Sequence, residues 1–268
     1  MSSQGKSSHT TTARAPKKSD LPAADVQDFR ARLKEVLDEK DDQGRAWSSS
    51  QWGVYAFYDY DGEPIYVGQT NEQLRVRVQR HLTNQRTDAV AMRILDVFEV
   101  AEIELWPLWN LSGYARKDAD ARAQLDAAEY TAYLDAIANS RFKAILNEKI
   151  PPVSEPITLP PSLRRTLIDP KMRVERGHPD IRIARRAETI SRLAAVARER
   201  GEVSEGLRRV LVIQAVRLAY LSAERLAVVE GRPQPDPAAI DIERLVGSVL
   251  YEHSDPAGQD EDPNDATV

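Results

Sequence analysis

The stretch "WGVYAFYDYDGEPIYVGQT" (Trp52–Thr70) carries two tyrosines, Tyr55 and Tyr66, on short apolar runs either side of Asp61-Gly62. A phenol can donate or accept a hydrogen bond and, with its proton drawn off, act as a base. Two of them on one surface could handle a water or a phosphate oxygen. Asp61-Gly62 is a strong hairpin turn signal. A turn there makes Tyr58 face Ile65 and Phe57 face Tyr66. Tyr55 shares the face of Phe57 because side chains alternate along a strand, so Tyr55 and Tyr66 become diagonal neighbours roughly 7–8 Å apart. Tyrosine is also a favoured strand residue, and two ordinary sheet tyrosines are the competing explanation.

The next segment, "YVGQTNEQLRVRVQRHL", adds cations. Leu74, Val78 and Leu82 repeat every fourth residue as a core-facing stripe, and Arg77 and His81, also four apart, share a face beside it. An arginine next to the core, facing a tyrosine-bearing sheet, suits a phosphate. With Arg75 and Arg80 close by, a solvated helix face is the alternative.

"GVY" (Gly53–Tyr55) and then "YVG" (Tyr66–Gly68), followed by an arginine helix, resembles the GIY-YIG nuclease family. The later parts of the family's pattern come in order: "LDAAEYTAYL" (Leu125–Leu134), with Glu129 among Leu125, Ala128, Ala132 and Tyr133, and "FKAILN" (Phe142–Asn147), ending in Asn147. The resemblance covers residues 52–150. It implies a small antiparallel three-stranded sheet flanked by helices, and a phosphodiester hydrolase. It further implies Glu129 as ligand to a single Mg²⁺ or Mn²⁺ ion, Arg77 as the phosphate brace, Tyr55 as general base, Tyr66 as a positioning group and Asn147 as an anchor. His81 matches a histidine of some relatives. Arg77 follows Tyr66 at a slightly longer spacing than in many relatives, so "QTNEQ" absorbs an insertion and Arg75 competes for the role. Arg77 keeps the family's three-residue offset from an apolar residue, here Leu74.

The elements that must position these groups are readable from periodicity. Helices are expected at Asp25–Glu39, Glu72–Thr83 and Asp118–Asn139, with a short helical stretch after Thr83, and strands at Gly53–Tyr58, Pro64–Gly68 and within Phe98–Trp109. The Pro-rich run 151–162 is expected to be a linker. Beyond it come three helices, at Asp180–Arg200, Ser204–Val229 and Pro237–His253. The chain thus divides into a tail (1–20), an N-terminal helix and connection (21–51), a nuclease-like α/β region of α+β type (52–150), the linker, an all-α domain (163–253) and an acidic tail (254–268), both tails expected to be disordered.

Composition narrows the chemistry. No cysteine is present, which removes thiolate metal sites and suits a cytoplasmic protein, and any metal should be a hard, oxygen-ligated ion. The longest apolar run, Val210–Leu221, is too short to span a bilayer. The net charge of −5 hides an uneven distribution. Residues 52–152 hold 11 Lys+Arg against 15 Asp+Glu, whereas residues 160–200 hold 11 against 5. On a helical wheel from Ile181, Arg182, Arg185 and Arg192 make a basic stripe opposite Ile183, Ala187, Ile190, Ala194 and Ala197. That stripe could lie along DNA and complement an acidic catalytic region. The expectation is a metal-dependent DNA endonuclease with a helical targeting domain, which could also mediate a homodimer or a protein partner. The alternatives are a catalytically dormant nucleic-acid-binding or assembly protein that keeps the fold, and an RNA-directed nuclease, for which no RNA-binding signature is seen.

Overall fold

The computed structural model describes residues 22–83 and 94–251. The two expected terminal tails, and most of the short helical stretch expected after Thr83, lie outside them. In chain order the elements are α1 (Ala24–Asp38), β1 (Gly53–Tyr58), β2 (Pro64–Thr70), α2 (Leu74–Thr83), β3 (Glu102–Pro107), α3 (Ala119–Asn139), β4 (Leu163–Thr166), α4 (Pro170–Arg176), α5 (Pro179–Arg200), α6 (Glu205–Glu230) and α7 (Ile242–Val246). The strands form one antiparallel sheet in the order β2-β1-β3-β4.

The sheet has four strands, not the three expected. β4 is "LRRT", too short and too charged to show an alternating pattern, and it lies beyond the Pro-rich run. Partners on β3 hold it in place: Arg164 Nε meets Glu102 at 2.9 Å, and Ser162 Oγ donates to Glu104 at 2.6 Å. The segment assigned to an all-helical domain at 163–166 is therefore part of the same sheet as β1, β2 and β3. The expected helix Pro237–His253 is also corrected. It is a single 3₁₀ turn, Pro237–Ala239, followed by the short α7, which Gly247 ends with φ 76°.

The β1–β2 connection departs from a two-residue turn. The Asp59 amide donates to Glu63 O at 2.9 Å and the Gly62 amide to Asp59 O at 3.1 Å, while Gly62 takes φ 72°. This is a three-residue loop in which Gly supplies the left-handed conformation. Phe57 pairs with Tyr66 as expected, but Tyr58 pairs with Pro64, so Ile65 is the extra residue of a bulge.

The free edge of β2 is covered by the segment after α3. Leu146 N donates to Ile65 O at 2.8 Å, and the Asn147 side chain both accepts from Val67 N (3.0 Å) and donates to Val67 O (2.7 Å). An asparagine amide here replaces one residue of a neighbouring strand. Buried apolar side chains from α1, the sheet, α2, α3, α5 and α6 form one continuous core, which includes Trp52, Leu105, Leu193, Val210 and Ile213. Among the described residues no helix is long and apolar enough to cross a membrane.

Candidate active site

β1 and β2 present Tyr55 and Tyr66 on one face, where α2 adds Arg77 and His81. The Tyr55 and Tyr66 rings lie 6.1 Å apart, Phe57 and Tyr66 stack at 5.7 Å, and the His81 ring stands nearly perpendicular to Tyr55 at 5.7 Å. α2 reaches this face because Leu74, Val78 and Leu82 are buried, which turns Arg77 and His81 along the sheet.

Two glycines make the close packing possible. Gly68 pairs with Tyr55 across the ladder, and a Cβ at Gly68 would lie 2.6 Å from the Tyr55 hydroxyl and 2.9 Å from the Tyr66 ring. At Gly53 a Cβ would meet Leu74 at 2.6 Å, so the glycine lets α2 sit against β1.

Tyr55 is completely buried, and its hydroxyl has no hydrogen-bond partner. Burial raises its pKa above the usual phenol value; Arg77 pulls it down and Glu129 pushes it up, so both lie close enough to act on it. Tyr66 is raised further, by burial and then by Tyr55. In the protein alone, burial outweighs the pull of Arg77 on the Tyr55 phenol. Arg77 Nε is also buried without a hydrogen bond. Burial, with help from Arg77 and Arg80, depresses His81 to about 4, so its ring is neutral near pH 7.

Arg75 has a different position. Its Nη2 donates to Leu37 O at 2.5 Å and meets Asp38 at 2.6 Å, tying α2 to the end of α1. Of the two competing arginines, only Arg77 lies at the tyrosine face.

Glu129, on α3, is 8% exposed. Burial and then the neighbouring Asp126 carboxylate push it up to about 8, against the pull of Arg77. Asp126 accepts a 2.8 Å hydrogen bond from Gln69 Nε2, and Gln69 Oε1 is buried with no partner. The family resemblance did not point to Gln69. Its only signal in the sequence was its place directly after Gly68. Asn147 is joined to the site through the backbone of Val67, between Tyr66 and Gly68, and supports β2 without its side chain entering the cluster.

Comparison with known families adds one finding. Residues 51–112 match the family model described as the GIY-YIG catalytic domain. This segment is a GIY-YIG domain, and it places a nuclease-family unit in the chain. Tyr55, Tyr66, Arg77 and His81 fall inside the GIY-YIG match; Glu129 and Asn147 lie beyond its end. The C-terminal region has no family match. No curated protein and no solved structure matches the chain.

The basic stripe assigned to α5 is not on the surface. The buried residues of this helix are Arg182, Arg186, Thr189, Leu193 and Val196, so the helix turns Arg182 and Arg186 inward. Arg182 is 3% exposed and pairs with Asp59 and Asp61, and Arg185 pairs with Glu99. Of the three residues of the expected stripe, Arg192 alone faces solvent, paired with Glu188. The wheel misled because buried carboxylates on the GIY-YIG domain make an arginine face the packing face.

Proposed function

We propose that the chain is a metal-dependent endonuclease that hydrolyses DNA phosphodiester bonds, of restriction, repair or mobile-element type. The observation that carries the proposal is the pairing of two buried polar groups without hydrogen bonds, the Tyr55 hydroxyl and Arg77 Nε, with the buried Glu129 carboxyl. Leaving such groups unpaired is costly unless a ligand completes them.

Phosphodiester hydrolysis needs an attacking water, neutralisation of charge on the phosphorus and stabilisation of the leaving oxygen. Arg77 would donate to a phosphate oxygen. Tyr55 stays protonated near neutrality, so its hydroxyl orients the water and gains base strength only as cationic charge gathers beside it. Tyr66 and the neutral His81 pack around that hydroxyl and hold it in place, and Asn147 fixes the strand beneath.

The donors fit a hard cation. Glu129 would hold Mg²⁺ or Mn²⁺, with Asp126 beside it and the unpartnered Gln69 Oε1 as a further acceptor. Among the described residues no three His, Asp or Glu side chains cluster as ligands. Mg²⁺ suits so sparse a set because it retains several waters. When bound, the ion would supply Lewis-acid stabilisation of the phosphate and leaving oxygens.

A cytoplasmic location belongs to the same proposal and rests on the absence of cysteine. So does a homodimer or a protein partner on the C-terminal helices, supported by the exposed Leu226, Val228 and Val229 on α6. Supercoiled plasmid and a single-stranded RNA of similar length, each incubated with and without Mg²⁺, test the main reading. Mg²⁺-dependent nicking or linearisation of the plasmid by wild type but not by Glu129→Gln is expected. Cleavage of the RNA alone would overturn the choice of substrate, and no cleavage of either would overturn the enzyme assignment.

A further inference from the structure

We infer that the C-terminal helices set the geometry of the catalytic hairpin, with Asp59 as the positioning residue through which they act; this rests on the nuclease reading of the Tyr55 site. Asp59 directly follows β1, and its two carboxylate oxygens do different things. Oδ1 accepts from the amides of Asp61 (2.9 Å) and Glu63 (3.2 Å) and so shapes the hairpin loop. Oδ2 receives Nη2 of Arg186 at 2.9 Å, of Arg217 at 3.0 Å and of Arg182 at 3.1 Å. One oxygen holds the turn and the other is held by α5 and α6.

The node is buried on both sides. Asp59 is 2% exposed and Arg217 1%. Burial pushes the Asp59 pKa up, but Arg217, Arg186 and Arg182 outweigh it and keep the carboxyl low. Arg186 also reaches Glu99 (3.2 Å) and donates to Arg217 O (3.2 Å), which locks α5 to α6. All the cations at Asp59 come from the two helices, and the carboxylates come from the hairpin and the turn before β3.

This matters for the site because the loop sets the register. With the Asp59–Glu63 pair closed, Tyr58 lies opposite Pro64, Ile65 bulges, Phe57 meets Tyr66 and Tyr55 meets Gly68. A one-residue slip would send every side chain to the other face. Even a small tilt of β1 would move Tyr55 against a neighbour that leaves no room for a methyl group.

The test uses the full chain. Asp59→Asn keeps an oxygen for the turn amides but removes the charge that three arginines share. Arg182→Gln is the milder variant, leaving Arg186 and Arg217 on Asp59, and it carries the test if Asp59→Asn does not fold. Each is assayed at a temperature where circular dichroism shows it fully folded. The expected result is a kcat lower by about 10-fold or more, as for misplacement of a reacting group. Kd for a DNA duplex should be unchanged, the NMR signals of the His81 ring should be displaced, and Arg182→Lys should restore part of the rate. A lower melting temperature with wild-type kcat and wild-type His81 signals would show that the node only adds stability, and would overturn the inference. If wild type cleaves nothing, the nuclease reading fails. The His81 signals then still decide whether Asp59 sets the hairpin geometry.

Discussion

Gly68 lies directly opposite Tyr55 in the β1–β2 ladder, and a Cβ there would come within 2.6 Å of the Tyr55 hydroxyl. The glycine is the space the phenol occupies. Gly68→Ala should therefore push the Tyr55 ring out of its place while leaving the ladder hydrogen bonds intact. A loss of about 10²-fold in cleavage rate is expected, the scale of an ångström-sized misplacement. Plasmid cleavage measured beside a circular dichroism spectrum checks it; near-wild-type activity would show that Tyr55 need not sit there.

Arg75 and Arg77 should separate cleanly. Arg77→Ala removes the guanidinium at the tyrosine face, with its unpartnered Nε, and should cost at least about 10²-fold in rate, typical for one transition-state donor. Arg75→Ala breaks bonds to Leu37 and Asp38, so it should lower the melting temperature and change the rate far less. The reverse ranking would move the phosphate brace to Arg75.

Glu129 gives a pH signature without metal. Its folded pKa is raised from 4.5 to about 8, so deprotonation is harder in the folded chain than in the unfolded one. Its contribution to stability is present below pH 4.5 and is lost as pH rises through 8. Glu129→Gln has no such loss. In metal-free buffer the melting temperature of the variant relative to wild type should rise between pH 5 and pH 8.5, a difference of 1 kcal/mol being roughly 2–4 °C for a domain of this size. A pH-independent difference would mean that Glu129 is not held protonated by its surroundings.

His81 titrates in the opposite sense. Its folded pKa is depressed from 6.5 to about 4, so the folded chain resists its protonation. Its stabilising contribution is complete above pH 6.5 and is lost as pH falls toward 4. NMR titration should place the ring inflection near pH 4, and His81→Asn should reduce the acid lability of the fold. An inflection near 6.5 would show that the ring is solvated.

Removing the C-terminal region should damage the fold and not merely weaken DNA binding. A chain ending at Pro152 loses β4, uncovers β3, leaves Asp59 and Glu99 without their arginines and leaves Glu63 with Arg141 alone. Removing one partner of a buried ion pair costs about 3–5 kcal/mol, a large part of a domain's stability. Insoluble or molten material is expected. The triple change of Arg182, Arg185 and Arg192 to Ala should likewise lower the melting temperature. If the shortened chain instead folds cooperatively and cuts DNA, the helices are a separable appendage.

The elements around the site were legible because their signals are local. The spacing of Leu74, Val78 and Leu82 and the alternation through Tyr55 and Phe57 each depend on a few neighbouring residues. The two tripeptides with Arg77 between core residues were enough to mark a GIY-YIG domain. What only the tertiary structure decided were the relationships between distant segments. β4 is too short for periodicity, and its reason for being a strand lies on β3, at Glu102 and Glu104. The inward turn of α5 depends on Asp59, more than a hundred residues earlier, because an arginine reads as a surface residue until a buried carboxylate is placed opposite it. The same holds for the choice between Arg75 and Arg77: they are two positions apart on one helix, and it was the placement of Asp38 beside Arg75 that left Arg77 to the tyrosines.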